Sequence, residues 1–304
     1  MLRPFMRGRR LVGPALVTIT AIGLLSIMDG MIKYVTAEHA AGQIAVLRYI
    51  FGSLAAAAVF LATRTPLPAP ATWRPHLWRS VLVSITAVTF FYSLSALQLA
   101  VALALSFTSP LFIAVFAALF LGERPGRPVF IALGLGFAGV LVVLWNELDV
   151  GAGGDFASGP GIMAALVAAV TYALAMVTLK SRAARDPAPT IVLLQNVFSL
   201  VLLAPLGALQ WTPPTGAALA LFFVIGLLGT AGHLCLAWAY ARADASRLGV
   251  FEYTAFIWAL AIGLAVFNEL PAPSTLAGAA LIAAGALIAS RRSQVREAEV
   301  EIGP

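Results

Sequence analysis

Long runs of apolar residues, separated by short segments rich in proline, glycine and charge, set the pattern of this chain. A helix that crosses a bilayer needs about 20 consecutive, mostly apolar residues. Strands of an outer-membrane barrel would instead alternate apolar and polar side chains, which these continuous runs do not. The pattern therefore predicts an all-α membrane protein with ten transmembrane helices, over residues 12–34, 42–61, 77–97, 101–121, 128–145, 159–179, 190–209, 216–240, 246–267 and 274–290.

The composition excludes a soluble enzyme. Of the 304 residues, 61% are hydrophobic and 11% are charged, against about 25% charged in an ordinary soluble domain. Such a chain cannot cover a surface that faces water. Cys235 is the only cysteine, which excludes an intrachain disulfide. The sequence has neither a nucleotide-binding motif nor a cluster of metal ligands, so we predict no cofactor and no metal.

The basic residues fall almost entirely on one side of the predicted helices. If the N-terminus lies in the cytoplasm, 17 of the 19 Lys and Arg residues lie in inner segments, including Arg64, Arg74 and Arg79 before or at the start of the third helix. An excess of Lys and Arg in cytoplasmic loops is the usual orientation signal. The net charge of +6 therefore indicates orientation in a bacterial-type inner membrane, with both termini cytoplasmic, and not nucleic-acid binding.

The two halves of the chain resemble each other in sequence. Leu47–Phe51 aligns with Leu194–Phe198, and Lys33 aligns with Lys180, both 147 positions apart. We predict two five-helix repeats, 1–148 and 149–293, followed by a cytoplasmic tail, 294–304. Because five is an odd number, the second repeat enters the membrane from the opposite side. Inverted repeats of this kind are typical of secondary transporters, which bind substrate near the bilayer midplane in a central cavity.

Short motifs at corresponding places in the halves carry a resemblance to a known family. They are Phe107-Thr108-Ser109-Pro110, Leu121-Gly122-Glu123-Arg124, Ala243-Asp244-Ala245, Phe251-Glu252-Tyr253-Thr254 and Ile27-Met28-Asp29-Gly30. With ten helices in two halves, the chain resembles the drug/metabolite transporter superfamily, and within it the EamA-type exporters. The resemblance implies a central cavity formed by predicted helices 1–4 and 6–9, and favours export of an amino acid or related metabolite by alternating access.

Other functions stay open at this point. Uptake of a metabolite, a vitamin or a nucleotide-like compound fits the same architecture. An intramembrane enzyme would need a convergent catalytic set, and a channel would need rings of charge or polar backbone. Only His233 with Glu252 comes close to a catalytic set, and the predicted inverted repeat and the lack of charged rings argue against a channel. We therefore predict a transporter and no enzyme.

Charged residues inside predicted helices are candidates for the substrate site, because such residues are costly in the bilayer and mark pathways. Asp29 and Lys33 are four residues apart on one helix face, a spacing that allows an ion pair. Arg48 enters the second helix at a similar depth and is suited to bidentate contact with a carboxylate or phosphate. In the alternative interpretation, Asp29 only neutralises one of the two cations.

A second pair of candidates concerns proton coupling. His233 and Glu252 lie at similar depths in predicted helices that follow each other along the chain. Histidine titrates near neutral pH, so the pair is a candidate for coupling proton movement to transport. In the alternative interpretation, a neutral Glu252 holds two helices together through a hydrogen bond to a backbone carbonyl.

Aromatic and amide side chains complete the predicted site. Aromatic rings stack on planar substrates and bind cations, but most such residues in membrane proteins pack between helices or face lipid. Gln195 and Asn196 match Arg48 and Tyr49 in the repeat, where neutral hydrogen bonds would suit a zwitterion. The aromatic candidates are Tyr92, Phe107, Tyr172, Trp238, Tyr253 and Trp258.

Small residues in the predicted fifth and tenth helices allow close helix packing. Gly134, Gly136 and Gly139 lie in the fifth helix, and Gly278 and Gly285 lie in the tenth. We predict that these helices pack against each other or a neighbour, with a homodimer as one possibility. The predicted partners are therefore a small-molecule substrate and membrane lipid.

Overall fold

The computed structural model describes residues 12–97, 99–150 and 159–267, together with nine residues between positions 273 and 288. Most of the tenth predicted helix and all of the predicted tail lie outside the described residues. The described chain is helical and contains no strand. Its helices are α1 (Val12–Val35), α2 (Ala41–Ala62), α3 (Pro70–Ala96), α4 (Leu99–Ser106), α5 (Ser109–Leu121), α6 (Arg127–Val150), α7 (Gly159–Ala183), α8 (Ala188–Leu209), α9 (Gly216–Tyr240), α10 (Ala245–Gly249), a 3₁₀ turn (Val250–Thr254) and α11 (Ala255–Phe267).

Among the described residues, six helices are long and apolar enough to cross a membrane: α1, α2, α3, α7, α8 and α9. Their bounds agree closely with the predicted ones, except that α3 begins at Pro70 and not at Leu77. The segment 70–76 contains two prolines, Arg74 and His76. The apolar run therefore begins only at Leu77, although the helix already begins at Pro70. Shorter apolar helices cover Ser109–Leu121 and Arg127–Gly139.

Two helices that the sequence predicted to be continuous are interrupted, so that prediction is wrong at both places. The predicted helix 101–121 is divided at Phe107 and Thr108, because Pro110 has no N–H to bond the carbonyl of Ser106. The predicted helix 246–267 is divided by the 3₁₀ turn that follows Gly249, a residue with weak helix preference. Helices α5 and α11, which resume after the interruptions, begin 146 positions apart.

The first half of the chain, α1–α6, packs extensively against the second half, α7–α11. Helix α1 lies against α9, α2 lies against α8 and α9, and α3 lies against α7 and α8. Helix α6 meets the tenth predicted helix as expected, since a Cβ at Gly285 would lie 2.9 Å from the Ala132 carbonyl oxygen. The core is therefore an interface between the two halves and not two separate bundles.

Glycine sets the distance between α2 and α9. A Cβ at Gly226 would lie 2.6 Å from the Phe51 Cβ and 2.7 Å from the Gly52 backbone nitrogen. Real Cβ atoms do not approach other atoms so closely, and part of the obstruction is backbone, which cannot rotate away. The two helices can cross at this distance only if residue 226 has no side chain.

We expect Gly226→Ala to destabilise the protein by about 1–3 kcal/mol, the usual cost of overpacking a dense core. The matched control is Gly134→Ala in α6, where an added Cβ meets nothing within 4 Å. In a helix interior, alanine is preferred over glycine by about 0.5–1 kcal/mol. Thermal unfolding of the purified proteins in detergent measures both effects. Equal melting temperatures for the two variants would contradict the interpretation of the crossing.

Two lysines make equivalent contacts in the two halves. The Nζ of Lys33 donates to the carbonyl oxygens of Leu94 (2.5 Å) and Leu97 (2.8 Å), at the end of α3. The Nζ of Lys180 donates to the carbonyl oxygens of Tyr240 (3.0 Å) and Ala243 (2.6 Å), at the end of α9. Each donor and each acceptor is 146 or 147 positions from its counterpart. A cation at the C-terminus of a helix satisfies carbonyls that have no helical partner.

Polar side chains also connect the halves through loops. The Glu123 carboxylate accepts hydrogen bonds from the backbone nitrogens of Ala245 (2.9 Å) and Ser246 (3.0 Å), at the start of α10. The side chain of Gln43 bonds the backbone carbonyl of Thr212 (2.5 Å), and its oxygen accepts from the Thr212 hydroxyl (2.8 Å). These contacts fix the second half against the first at both ends of the helices.

Candidate functional site

A cavity of about 160 Å³ lies between the halves, at the middle of the long helices. Its walls come from α1–α5, α7, α9, the 3₁₀ turn and the start of α11, and most of the lining residues are apolar or aromatic. Six of the predicted site residues line it: Asp29, Arg48, Phe107, Tyr172, His233 and Glu252. Because few polar groups converge on an apolar cleft here, the cavity has the character of a small-molecule site.

Arg48 is the cation of this cavity. Its side chain is 4% exposed, and its Nε lies 3.4 Å from the sulfur of Met28. The guanidinium lies over the ring of Tyr49, 4.5 Å from the ring centroid, and close enough to Asp29 to interact with it electrostatically. The Nη1 atom is buried without a hydrogen-bond partner. Arg48 therefore keeps a donor available at the cavity wall.

Glu252 and Tyr172 form the second polar group. The Tyr172 hydroxyl lies 2.9 Å from Oε1 and 3.0 Å from Oε2 of Glu252, and donates to the carboxylate. Glu252 sits in the 3₁₀ turn, so the interruption of the helix presents its side chain to the cavity. The partner of Glu252 is thus a tyrosine hydroxyl, where the sequence alone had suggested histidine or a backbone carbonyl.

His233 lies on α9 beside the same cavity. Its Nδ1 is 2.7 Å from the carbonyl oxygen of Gly229, one turn earlier. Among the described residues, no ion pair joins His233 to Glu252. The predicted proton-coupling residues therefore share the cavity, and among the described residues neither a hydrogen bond nor an ion pair joins them.

The other predicted site residues lie away from the cavity lining. Lys33 binds the end of α3 as described, and Tyr253 is buried between Phe107, 5.8 Å between ring centroids, and Gly136. The aromatic residues Tyr92, Trp238 and Trp258 are 36–42% exposed on the outside of the bundle. Gln195 and Asn196 are buried, and the Asn196 amide bonds the Val192 carbonyl at 2.8 Å. These residues are therefore either packed inside the bundle or exposed on its surface, and none of them lines the cavity.

Arg79 is the residue that the sequence analysis assigned wrongly. It was counted only as an orientation signal at the start of the predicted third helix, but it lies within α3 and is 1% exposed. Three residues earlier, His76 is equally buried, and its Nε2 lies 3.0 Å from Asp186 Oδ2. The predicted helix began at Leu77, beside these residues, and hydropathy could not show that they are buried. One signal was available in the sequence. His76, Arg79 and Ser80 have the i, i+3, i+4 spacing of residues on one helix face, so all three can be buried together.

The cavity lining repeats along the chain. Seven lining residues come from the second half, and six of them have a lining counterpart in the first half, 146 or 147 positions earlier. The pairs are Ile22 with Ala169, Leu25 with Tyr172, Asp29 with Met176, Thr86 with His233, Ser106 with Glu252, and Ser109 with Ala255. Where one member of a pair is ionisable, its counterpart in the other half is not. Among the described residues, no cluster of three or more His, Cys, Asp or Glu could hold a metal ion.

A helical bundle with apolar spans and an internal cavity that carries buried charges defines an integral membrane protein for small solutes. The EamA-like transporter family matches residues 14–145 and again residues 159–291. The chain therefore belongs to the EamA-like transporter family, and it is a membrane transporter and not an enzyme.

Relatives of this chain carry different solutes in different directions. A riboflavin transporter of Rhizobium johnstonii is 33% identical over 243 residues, 78% of this chain and 74% of that protein. An S-adenosylmethionine uptake transporter of Rickettsia felis is 27% identical over 274 residues, 87% and 90% of the two chains. The pseudopaline exporter CntI of Pseudomonas aeruginosa PAO1 is 27% identical over 286 residues, 91% and 95%.

The fold also matches a solved structure. A protein of known crystal structure superposes with a TM-score of 0.77 at 23% identity, over 95% of this chain and 100% of that one. At this identity the match concerns the fold alone.

Proposed function

We propose that this protein is a secondary transporter that moves a small amphipathic metabolite across the inner membrane by alternating access. The observation that carries the proposal is the paired lining of the cavity, in which six of seven second-half residues have a first-half counterpart at one offset. A site built from two equivalent halves has two nearly equivalent states, open to opposite sides. The repeated lysine contacts and the two helix interruptions, each at the same offset, support the same architecture.

The architecture proposed is ten helices in two inverted repeats, 1–148 and 149–293, with both termini in the cytoplasm. Interrupted helices in corresponding positions are the usual pointer to a transporter binding site. Here the interruptions place Phe107 and Glu252 at the cavity. A homodimer remains a prediction from the small residues of α6 and the tenth helix.

The cavity favours a solute with a planar or apolar part and a charged group. Phe90, Phe91, Phe107 and Tyr49 supply apolar and aromatic walls, while Arg48 supplies a cation. Export of an amino acid or related metabolite is the first candidate. Uptake of a vitamin or nucleotide-like compound is the second, and it is supported by the riboflavin and S-adenosylmethionine relatives. Movement of a proton through Glu252 and His233 is a further part of the proposal.

Counterflow in liposomes tests the proposal. Vesicles with purified protein are loaded with an unlabelled solute from a panel of amino acids, flavins and nucleosides, and trace labelled solute is added outside. We expect transient, saturable accumulation of one solute class above equilibrium, because a carrier exchanges solute through one site. A steady ionic conductance would indicate a channel, and a chemically altered solute would indicate an enzyme. Either result would refute alternating access.

A further inference from the structure

Arg79 carries a buried guanidinium group for which the described residues supply no ion-pair partner. The side chain is buried in α3, and both its Nε and its Nη1 lack a hydrogen-bond partner. Among the described residues, no carboxylate lies within ion-pair distance of its guanidinium. A buried charge without a partner costs several kcal/mol. Arg79 therefore has donors available for an anion that this conformation does not contain.

The surroundings of Arg79 connect it to the cavity. Arg79 interacts electrostatically with Tyr49, Tyr172 and His233, and all three line the cavity. Arg79 is not itself a lining residue, but it lies one helical turn before Val83, which lines the cavity. His76, three residues earlier on α3, also interacts electrostatically with Arg79 and is itself bonded to Asp186. The Asp186 carboxylate, which bonds His76, is already paired with Arg182 at 2.7 Å.

Further unpartnered polar groups lie along the contact between α3 and α8. The hydroxyls of Ser80 and Ser84 and both amide atoms of Gln195 are buried without hydrogen-bond partners. The Ser199 hydroxyl lies 3.4 Å from the Ser80 carbonyl oxygen, which fixes this face of α8 against α3. Gln195 is one turn before Ser199, on the same face. Unmade hydrogen bonds of buried groups are rare in proteins, and a local group of them needs an explanation.

We propose that Arg79 forms an anion subsite that adjoins the cavity, and that the transported solute carries a carboxylate or phosphate. The proposal rests on the proposed transport function, since Arg79 is buried and an anion reaches it from the cavity only when the lining rearranges during alternating access. Arg48 holds the solute from the cavity side, where Asp29 already balances part of its charge. Arg79, with no acidic partner, supplies the second cation.

The stability of the ligand-free protein gives the first test, with Arg79→Met as the variant. If Arg79 is a ligand group, removing its unpaired charge leaves the melting temperature unchanged or raises it, because apolar replacement of buried charge is neutral or stabilising. A structural arginine would show the opposite sign, a clear drop. Arg74→Met is the matched control, because Arg74 lies on the same helix and is exposed. It should leave the melting temperature unchanged.

Matched acid and neutral probes give the second test. Melting temperatures are measured at constant ionic strength with inorganic phosphate against chloride, and with riboflavin 5′-phosphate against riboflavin. We expect the anion of each pair to stabilise the wild-type protein and the Arg74 variant, and the preference to fall at least tenfold in apparent affinity in Arg79→Met. A lower melting temperature of ligand-free Arg79→Met, or an anion preference that survives in it, would overturn the subsite.

Counterflow separates this proposal from the function on which it rests. If wild-type vesicles exchange a solute and Arg79→Met vesicles exchange its acid and its neutral amide with the wild-type preference, the subsite is refuted and the transporter stands. If wild-type vesicles exchange no member of the panel, the proposed function itself fails. Loss of exchange for acids alone in the variant supports both.

Discussion

Replacing Arg48 with leucine is expected to reduce transport of the cognate solute by at least about 100-fold, while the protein still reaches the membrane. Removing one partner of a buried charged contact costs about 3–5 kcal/mol, and every 1.4 kcal/mol is a factor of ten in affinity. Arg48 is the only cation that lines the described cavity. Its free Nη1 and its position over Tyr49 make it the group that would hold a carboxylate or phosphate.

Initial rates of counterflow in liposomes measure this effect, normalised to the amount of inserted protein. Arg242→Leu is the control, because Arg242 lies at the end of α9, on the exposed face of Trp238, and should change the rate less than twofold. Arg48→Leu leaves Asp29 without its cation, so the double variant Asp29→Asn/Arg48→Leu is included to restore neutrality. Wild-type rates in the single or the double variant would refute the role of Arg48.

Glu252→Gln is expected to remove the response of transport to a proton gradient, with a loss of at least tenfold in gradient-driven rate. A glutamine cannot carry the proton, although it keeps the size of the side chain and can still accept from Tyr172. The other ionisable groups in the described cavity lining are Asp29, Arg48, Tyr49, Tyr172 and His233. The Glu252 carboxylate accepts a hydrogen bond from Tyr172, and both residues line the cavity.

Rates are measured with and without an imposed pH difference across the vesicle membrane. Asp29→Asn is the matched comparison, since Asp29 is the other acidic residue in the described cavity lining, and it should keep the gradient response. Tyr172→Phe removes the donor alone and should lower the rate by roughly ten- to a hundredfold, the range for a hydrogen bond to a charged group. A Glu252→Gln variant with an intact gradient response would exclude proton coupling at this residue.

The resemblance between the halves predicted more of the structure than any single residue did. Lys33 and Lys180 are separated by the repeat offset of 147 positions, which predicted equivalent positions in the two halves. The structure gives both lysines the same type of contact. What sequence could not give was the nature of that contact. Spacing suggested a pair with Asp29 four residues away, because neighbours on one helix can be read from the chain. The carbonyls of Leu94 and Leu97 lie 61 and 64 residues away and become neighbours only in the folded bundle.

The site residues divide in the same way. Asp29, Arg48, Phe107, Tyr172, His233 and Glu252 were identified because charge, histidine or an aromatic ring inside an apolar run stands out. Tyr92, Trp238 and Trp258 stand out equally, yet they are exposed on the outside of the bundle. A uniformly apolar helix has no polar face to indicate which side turns inward, so hydropathy cannot separate lining residues from lipid-facing ones.

The sequence by itself determined the class of protein, the long membrane helices and the internal repeat, because these depend on apolar length and spacing along the chain. Only the tertiary structure decided the interruptions before α5 and α11, the tyrosine partner of Glu252 and the burial of Arg79. Each of these depends on which helix faces pack together across the two halves. That packing is set by contacts between residues far apart in the chain, and a linear pattern does not contain them.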